Sequence, residues 1–126
     1  MDAHTLLLRQ VNPGWVQSGR VTSQAFKPTL KDEKKLSVYD SNLINAEQSW
    51  RHYTQTLLLA STGVLAVSVE ESESVGLPAR SDPTPFPEHA VIDFEGFSNS
   101  QTESKAKRLR NFADVRGWLY RMEPGN

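Results

Sequence analysis

A chain of 126 residues with 14 basic and 15 acidic side chains, 37% apolar and 9% aromatic residues has the make-up of one globular domain spanning residues 1–126. A body of this size has a radius of gyration of roughly 14 Å and holds a single core without metal or disulfide staples. The absence of cysteine excludes thiol catalysis, thiolate zinc centres and disulfide frameworks.

The net charge of −1 conceals blocks. Residues 1–35 hold six basic against three acidic side chains, and residues 70–104 hold one against eight. Residues 105–126 hold six against two. Such blocks either attract one another across a folded surface, at about 0 to 1 kcal/mol per exposed pair, or serve as separate docking surfaces with salt-sensitive steering. No basic segment precedes Leu6-Leu7-Leu8, so no signal peptide is expected. The stretch from Leu57 to Val69 is interrupted by Ser61, Thr62, Gly63 and Ser68 and is shorter than the roughly 20 residues of a membrane span. A membrane partner is therefore not expected, and cytoplasmic localisation is the default.

In chain order, Thr5 to Arg9 reads as a first strand that ends at the Asn12-Pro13-Gly14 turn signal. Arg20 to Phe26 alternates as a second strand, Lys27 to Lys35 as a solvated connection, and Leu36 to Tyr39 as a short third strand. From Asn45 the period changes. Ala46, Trp50, Tyr53 and Leu57 share one side of a helix, Asn45 and Gln48 fit a capping box, and Glu47 precedes Arg51 in the favourable i,i+4 order. Gly63 to Glu70 is small or apolar on both faces, as a central strand should be. The proline-rich acidic segment 71–88 reads as a long loop, and His89 to Phe94 as a strand with Ala90, Ile92 and Phe94 on one side. Ser100 with Glu103 suggests the start of a second helix, whose inner face carries Ala106, Leu109, Phe112 and Ala113 and which stops at Gly117. Trp118 to Met122 reads as a last strand before a frayed tail, residues 123–126. The order predicts an α+β fold: a single-layer mixed, mostly antiparallel sheet of about five or six strands with two amphipathic helices packed on it.

Three groups of residues carry chemistry. The histidines His4, His52 and His89 lack the short spacings of a metal site, so no metal and no cofactor is expected. His89 stands out because it opens a strand directly after the proline-rich loop, although Asp93 on the same strand face lies about 13 Å away, too far to touch. Arg9, Thr22, Ser23 and Glu88 form a second constellation if the strand ends converge, with a guanidinium, two hydroxyls and a carboxylate fit to clamp a phosphate and polarise a sugar hydroxyl. An arginine on one strand, a serine-containing second strand with Thr22 and Ser23, and a late glutamate resemble the ADP-ribosyltransferase arrangement, which implies a nicotinamide dinucleotide site. The family's usual glutamate motif is absent here. Lys105, Lys107, Arg108 and Arg110 form a basic cluster on the second helix, without interleaved aromatic residues or any nucleic-acid-binding signature. Phe86, between Pro85 and Pro87, is the kind of displayed aromatic that anchors protein interfaces.

These readings favour a small non-catalytic protein-interaction module or subunit of a larger complex. Phe86, Lys105, Lys107, Arg108 and Arg110 would contact another protein, with nucleic acid the less favoured partner. The alternative is an enzyme acting on a nucleotide or nucleic acid, ADP-ribosyltransferase-like or a nuclease-like toxin, built on Arg9, Ser23, Glu88 and His89. Oligomeric state has no signal in the sequence.

Overall fold

The computed structural model describes residues 1–29 and 33–122. Its strands are β1 (Leu6–Val11), β2 (Val16–Gln17), β3 (Arg20–Val21), β4 (Lys35–Asp40), β5 (Gly63–Ser68), β6 (Ala79–Ser81), β7 (His89–Asp93) and β8 (Tyr120–Arg121). Its α-helices are α1 (Ala46–Arg51), α2 (Val69–Ser74) and α3 (Asn99–Arg116). Six strands form one sheet in the order β6-β7-β4-β1-β5-β8, while β2 and β3 make a separate two-stranded ribbon. Among the described residues every pairing is antiparallel. The fold is α+β, and among the described residues no helix is long and apolar enough to cross a membrane.

Strand alternation sorts the core into two layers. Leu7 and Val11 of β1, Leu36 and Val38 of β4, Leu65 and Val67 of β5, and Ala90 and Ile92 of β7 face α3, which contributes Ala106, Leu109 and Ala113. On the opposite face Leu8, Tyr39, Val64 and Ala66 meet Trp50, Tyr53, Phe86 and Tyr120. Ser49 of α1 is completely buried and accepts from Gln10 Nε2 at 2.9 Å, while Gln10 Oε1 accepts from Ser61 at 2.9 Å. A buried glutamine thus finds partners on both sides, as a buried amide must.

Several elements differ from the sequence reading. The strand expected over Arg20 to Phe26 ends at Val21, and Ser23–Phe26 is a 3-10 helix. Thr22 turns the chain, its N–H and hydroxyl both donating to the Trp15 carbonyl, and Ala25 and Phe26 enter the core. The first helix keeps its Asn45–Gln48 capping box and its Glu47–Arg51 pair but is only six residues long. At His52 it widens into a π-helical turn, His52–Thr56, and leaves Leu57 half exposed where a continued α-helix would have buried it. The segment expected to be loop from residue 71 contains most of α2, held by a Ser68–Glu71 capping box, and the edge strand β6. The long helix starts at Ser98 rather than Ser100, with Gln101 closing the box. Glu103 instead pairs with Lys27 at 2.8 Å and accepts from Ser23. The last strand is reduced to Tyr120–Arg121. Residues 30–32 of the expected connection and the expected tail, 123–126, lie outside the described residues.

Two ion pairs join opposite charge blocks: Arg116 with Glu71 at 2.7 Å and Lys27 with Glu103 at 2.8 Å. Burial opposes the ionisation of Glu71, but the Arg116 guanidinium and the Ser68 N–H outweigh it and hold its carboxyl below the ordinary 4.5. A depressed folded-state value means the unfolded chain binds the proton more readily. The stabilisation is therefore complete above 4.5 and is lost as pH falls through the folded value. Glu71→Gln is expected to flatten the acid limb of a melting-temperature profile below pH 4.5; an unchanged slope would show that this pair contributes nothing. At the helix start, Ser98→Ala is expected to cost about 1 kcal/mol in urea denaturation, because one N-terminal N–H of α3 loses its acceptor.

Candidate functional site

The two innermost strands are joined incompletely. β1 pairs with β5 along all six of its residues and β4 pairs with β7 along five, yet β1 and β4 share only the register pairs Leu7 with Asp40 and Leu8 with Tyr39. Beyond them Arg9 spans the parting, its Nε donating to the Ala25 carbonyl at 2.6 Å and its guanidinium nitrogen to the Ser37 carbonyl at 2.8 Å. Trp15 lies against the guanidinium, 5.1 Å from ring centre to carbon, in a cation–π contact. A cavity of about 470 Å3 opens at this parting. Leu8 to Gln10 border it from β1, Ser37 to Tyr39 from β4, Tyr53, Leu57 and Leu59 from the π-helical turn and the loop after it, and Pro85, Phe86 and His89 from the hairpin between β6 and β7. That size, with mostly apolar walls and a few converging polar groups, is typical of a small-molecule site.

Register brings the polar groups together. β4 and β7 pair Tyr39 with His89 and Ser37 with Val91, so Ser37 and His89 are diagonal neighbours on one face. His89 Nε2 stands 3.1 Å from Ser37 Oγ, and Nδ1 stands 2.8 Å from the Asp82 carbonyl oxygen. A carbonyl can only accept, so in the neutral ring Nδ1 carries the hydrogen and Nε2 is the acceptor, which takes the serine O–H. The Asp82 carboxylate also lies 3.6 Å from Nδ1. The hairpin loop holds this arrangement through Asp82 N–H to the His89 carbonyl and His89 N–H to the Phe86 carbonyl.

A second cluster adjoins it. The Tyr39 hydroxyl is 2.8 Å from His52 Nδ1, and Phe86 packs against the rings of Tyr39, His52 and His89 at centroid distances of 5.2, 4.6 and 5.2 Å. Burial pushes the Tyr39 phenol pKa up, and the neighbouring Tyr53 and Glu88 add to the rise, so the hydroxyl stays protonated beside His52 Nδ1. The π-helical turn has a cost. It is followed by Leu58 at φ +58, a left-handed conformation held by a leucine that is 81% exposed. Replacing Leu58 by glycine is expected to stabilise the fold by about 1 kcal/mol, measured by urea denaturation, since glycine adopts this conformation without the Cβ clash.

Of the candidate catalytic residues singled out in the sequence, Arg9 and His89 both line the cavity. Ser23 and Glu88 are not part of its wall: Ser23 donates to Glu103 on α3, and the Glu88 carbonyl accepts from Asp40 N–H. The serine that faces His89 is Ser37. The ADP-ribosyltransferase-like constellation is thus only half assembled, and its serine sits in a 3-10 helix instead of a strand. Phe86 is half-buried among rings, and Lys105 reaches the Val75 carbonyl and lies over the Phe97 ring. Arg110 donates to the Val21 carbonyl, while Lys107 and Arg108 are exposed. Among the described residues no three His, Asp or Glu side chains come together as a metal ion would require. No known family, curated protein or solved structure matches this chain.

Proposed function

We propose that the protein binds and chemically transforms a small organic molecule in the cavity at the parted centre of the sheet, with His89 as its acid–base group. The observation that carries this reading is the pair of contacts that orient the His89 ring. Its Nδ1 is committed to Asp82, and its Nε2 bears the lone pair on the side of Ser37. A buried imidazole oriented by one partner and aimed at a hydroxyl is the arrangement general-base catalysis uses. The apolar wall of Tyr53, Leu57, Leu59 and Phe86 favours a ligand with a ring or short alkyl portion, and Arg9 supplies positive charge at the other side.

Amide chemical-shift mapping with small aromatic esters, carboxamides, nucleosides, NAD and ATP tests the reading. Perturbations at Ser37, Tyr53, Phe86 and His89 are expected, and they should weaken at least tenfold in Phe86→Ala. Shifts confined to α3, or no saturable shift at millimolar ligand, would overturn the proposal.

A protein-interaction module remains the second reading, supported by one observation: Leu57, Leu58 and Leu59 are exposed together beside the cavity mouth. Phe86 and the basic residues of α3 support it less, since Phe86, Lys105 and Arg110 already have partners within the chain. Phe86→Ala separates the readings. Loss of three ring contacts is expected to lower stability by about 1 to 2 kcal/mol in thermal or urea unfolding, whereas a residue used only for docking would leave stability unchanged and abolish co-purification of a partner.

A further inference from the structure

We propose that Ser37 is an activated nucleophile and that the substrates are acyl compounds, esters or thioesters; this rests on the reading of the cavity as a small-molecule site. Ser37 is exposed at the cavity wall, while the His89 that faces it is only 8% exposed. The hydroxyl is therefore open to a ligand, and its base is shielded from water. Ser37 Oγ, His89 and Asp82 stand in the order nucleophile, base and orienting group, at 3.1 Å and 2.8 Å. The orienting atom is the Asp82 carbonyl oxygen, and the Asp82 carboxylate 3.6 Å from Nδ1 adds negative charge beside the imidazolium that forms. Because β4 and β7 are fully paired here, the approach of serine to histidine is set by strand register and not by a mobile loop.

The reaction balances with water as the only co-reactant. As Ser37 Oγ bonds to the acyl carbon, its proton passes to His89 Nε2. The bond from that carbon to the alcohol oxygen or thiol sulfur breaks, and the leaving group takes the proton from Nε2. Water then attacks the acyl-serine, His89 accepts its proton, and the serine oxygen leaves with that proton as the carboxylic acid departs. Negative charge develops on the acyl oxygen in both steps, and Arg9, bonded to the backbone carbonyl of Ser37, is the permanent cation among the described residues that border the cavity. An apolar acyl or alcohol portion would lie against Phe86, Tyr53 and Leu57.

The test is covalent labelling of the full chain with an alkyl fluorophosphonate, in which a phosphorus–fluorine bond breaks and fluoride leaves. Intact mass and peptide mapping are expected to show one adduct on Ser37, absent in Ser37→Ala and formed at least about 100-fold more slowly in His89→Gln. Since His89→Gln can disturb folding, Ser37→Cys gives an independent reading. With His89 retained, its alkylation by iodoacetamide is expected to persist to lower pH than that of N-acetylcysteinamide free in solution, because a thiol beside an imidazole forms thiolate more readily. Labelling at another residue, wild-type labelling in His89→Gln, or superimposable alkylation profiles would overturn the assignment. If fragments bind in the cavity and the probe labels nothing, the nucleophile is refuted alone; if fragments also fail to bind, the reading of the cavity falls with it.

Discussion

Phe26→Ala is expected to destabilise the protein by about 3 to 5 kcal/mol, enough to unfold a large share of a marginally stable domain. The ring is completely buried, and the 3-10 helix that carries it touches both α3 and β1. Its removal loses the transfer free energy of an aromatic side chain and leaves a void that neither the helix nor the sheet can close without moving the other. The neighbouring Ala25 is also fully buried and its carbonyl holds Arg9, so a collapse around the void would disturb the wall of the cavity as well. Urea denaturation measures the loss. A cost below about 1 kcal/mol would mean that the core relaxes there far more freely than a close-packed interior does.

Gly63→Ala should cost about 2 to 3 kcal/mol although it adds one methyl group. A Cβ at this position would stand 2.6 Å from the Tyr120 carbonyl oxygen and 2.8 Å from the Trp118 ring. The oxygen belongs to the backbone of β8, which pairs with β5 through Gly63 with Arg121 and Val64 with Tyr120, so no rotamer change relieves the clash. Either β5 shifts against β1 within the sheet or β8 peels from the sheet edge. Amide exchange distinguishes these outcomes: protection lost only at Leu119 and Met122, whose N–H groups donate to Val64 and Thr62, would mean that β8 alone gives way. Full retention of stability would show that the edge is softer than its contacts indicate.

Much of the framework was legible in the residues themselves. The uninterrupted buried run of β5, the alternation of His89 to Phe94 and the capping box at Asn45 each follow from local periodicity, and each holds in the structure. The stretch Arg20 to Phe26 misled because alternation also suits a chain that leaves its strand after two residues and buries Ala25 and Phe26 from a tight turn. α2 was hidden by its acidic, serine-rich composition, yet the signal existed: Ser68 and Glu71 have the spacing of a capping box. For the candidate site, Arg9 and His89 were visible as a charged residue and an imidazole at strand ends. Ser37 carried no mark, since an isolated serine in a short strand looks like any solvent-facing position. Its importance depends on a register with a strand 52 residues away, which local pattern cannot encode. Asp82 likewise read only as one acidic charge in a proline-rich segment.

With so few rungs at its middle, the sheet is two three-stranded ribbons, β6-β7-β4 and β1-β5-β8, laid side by side over a shared apolar underside. Among its four long strands, β7, β4, β1 and β5, the weakest line runs down this seam. Pressure or mild denaturant should therefore unzip it from within, and the amides of Gln10 and Ser37, which strand alternation points toward the seam, should exchange with solvent before those of Arg9 and Val11.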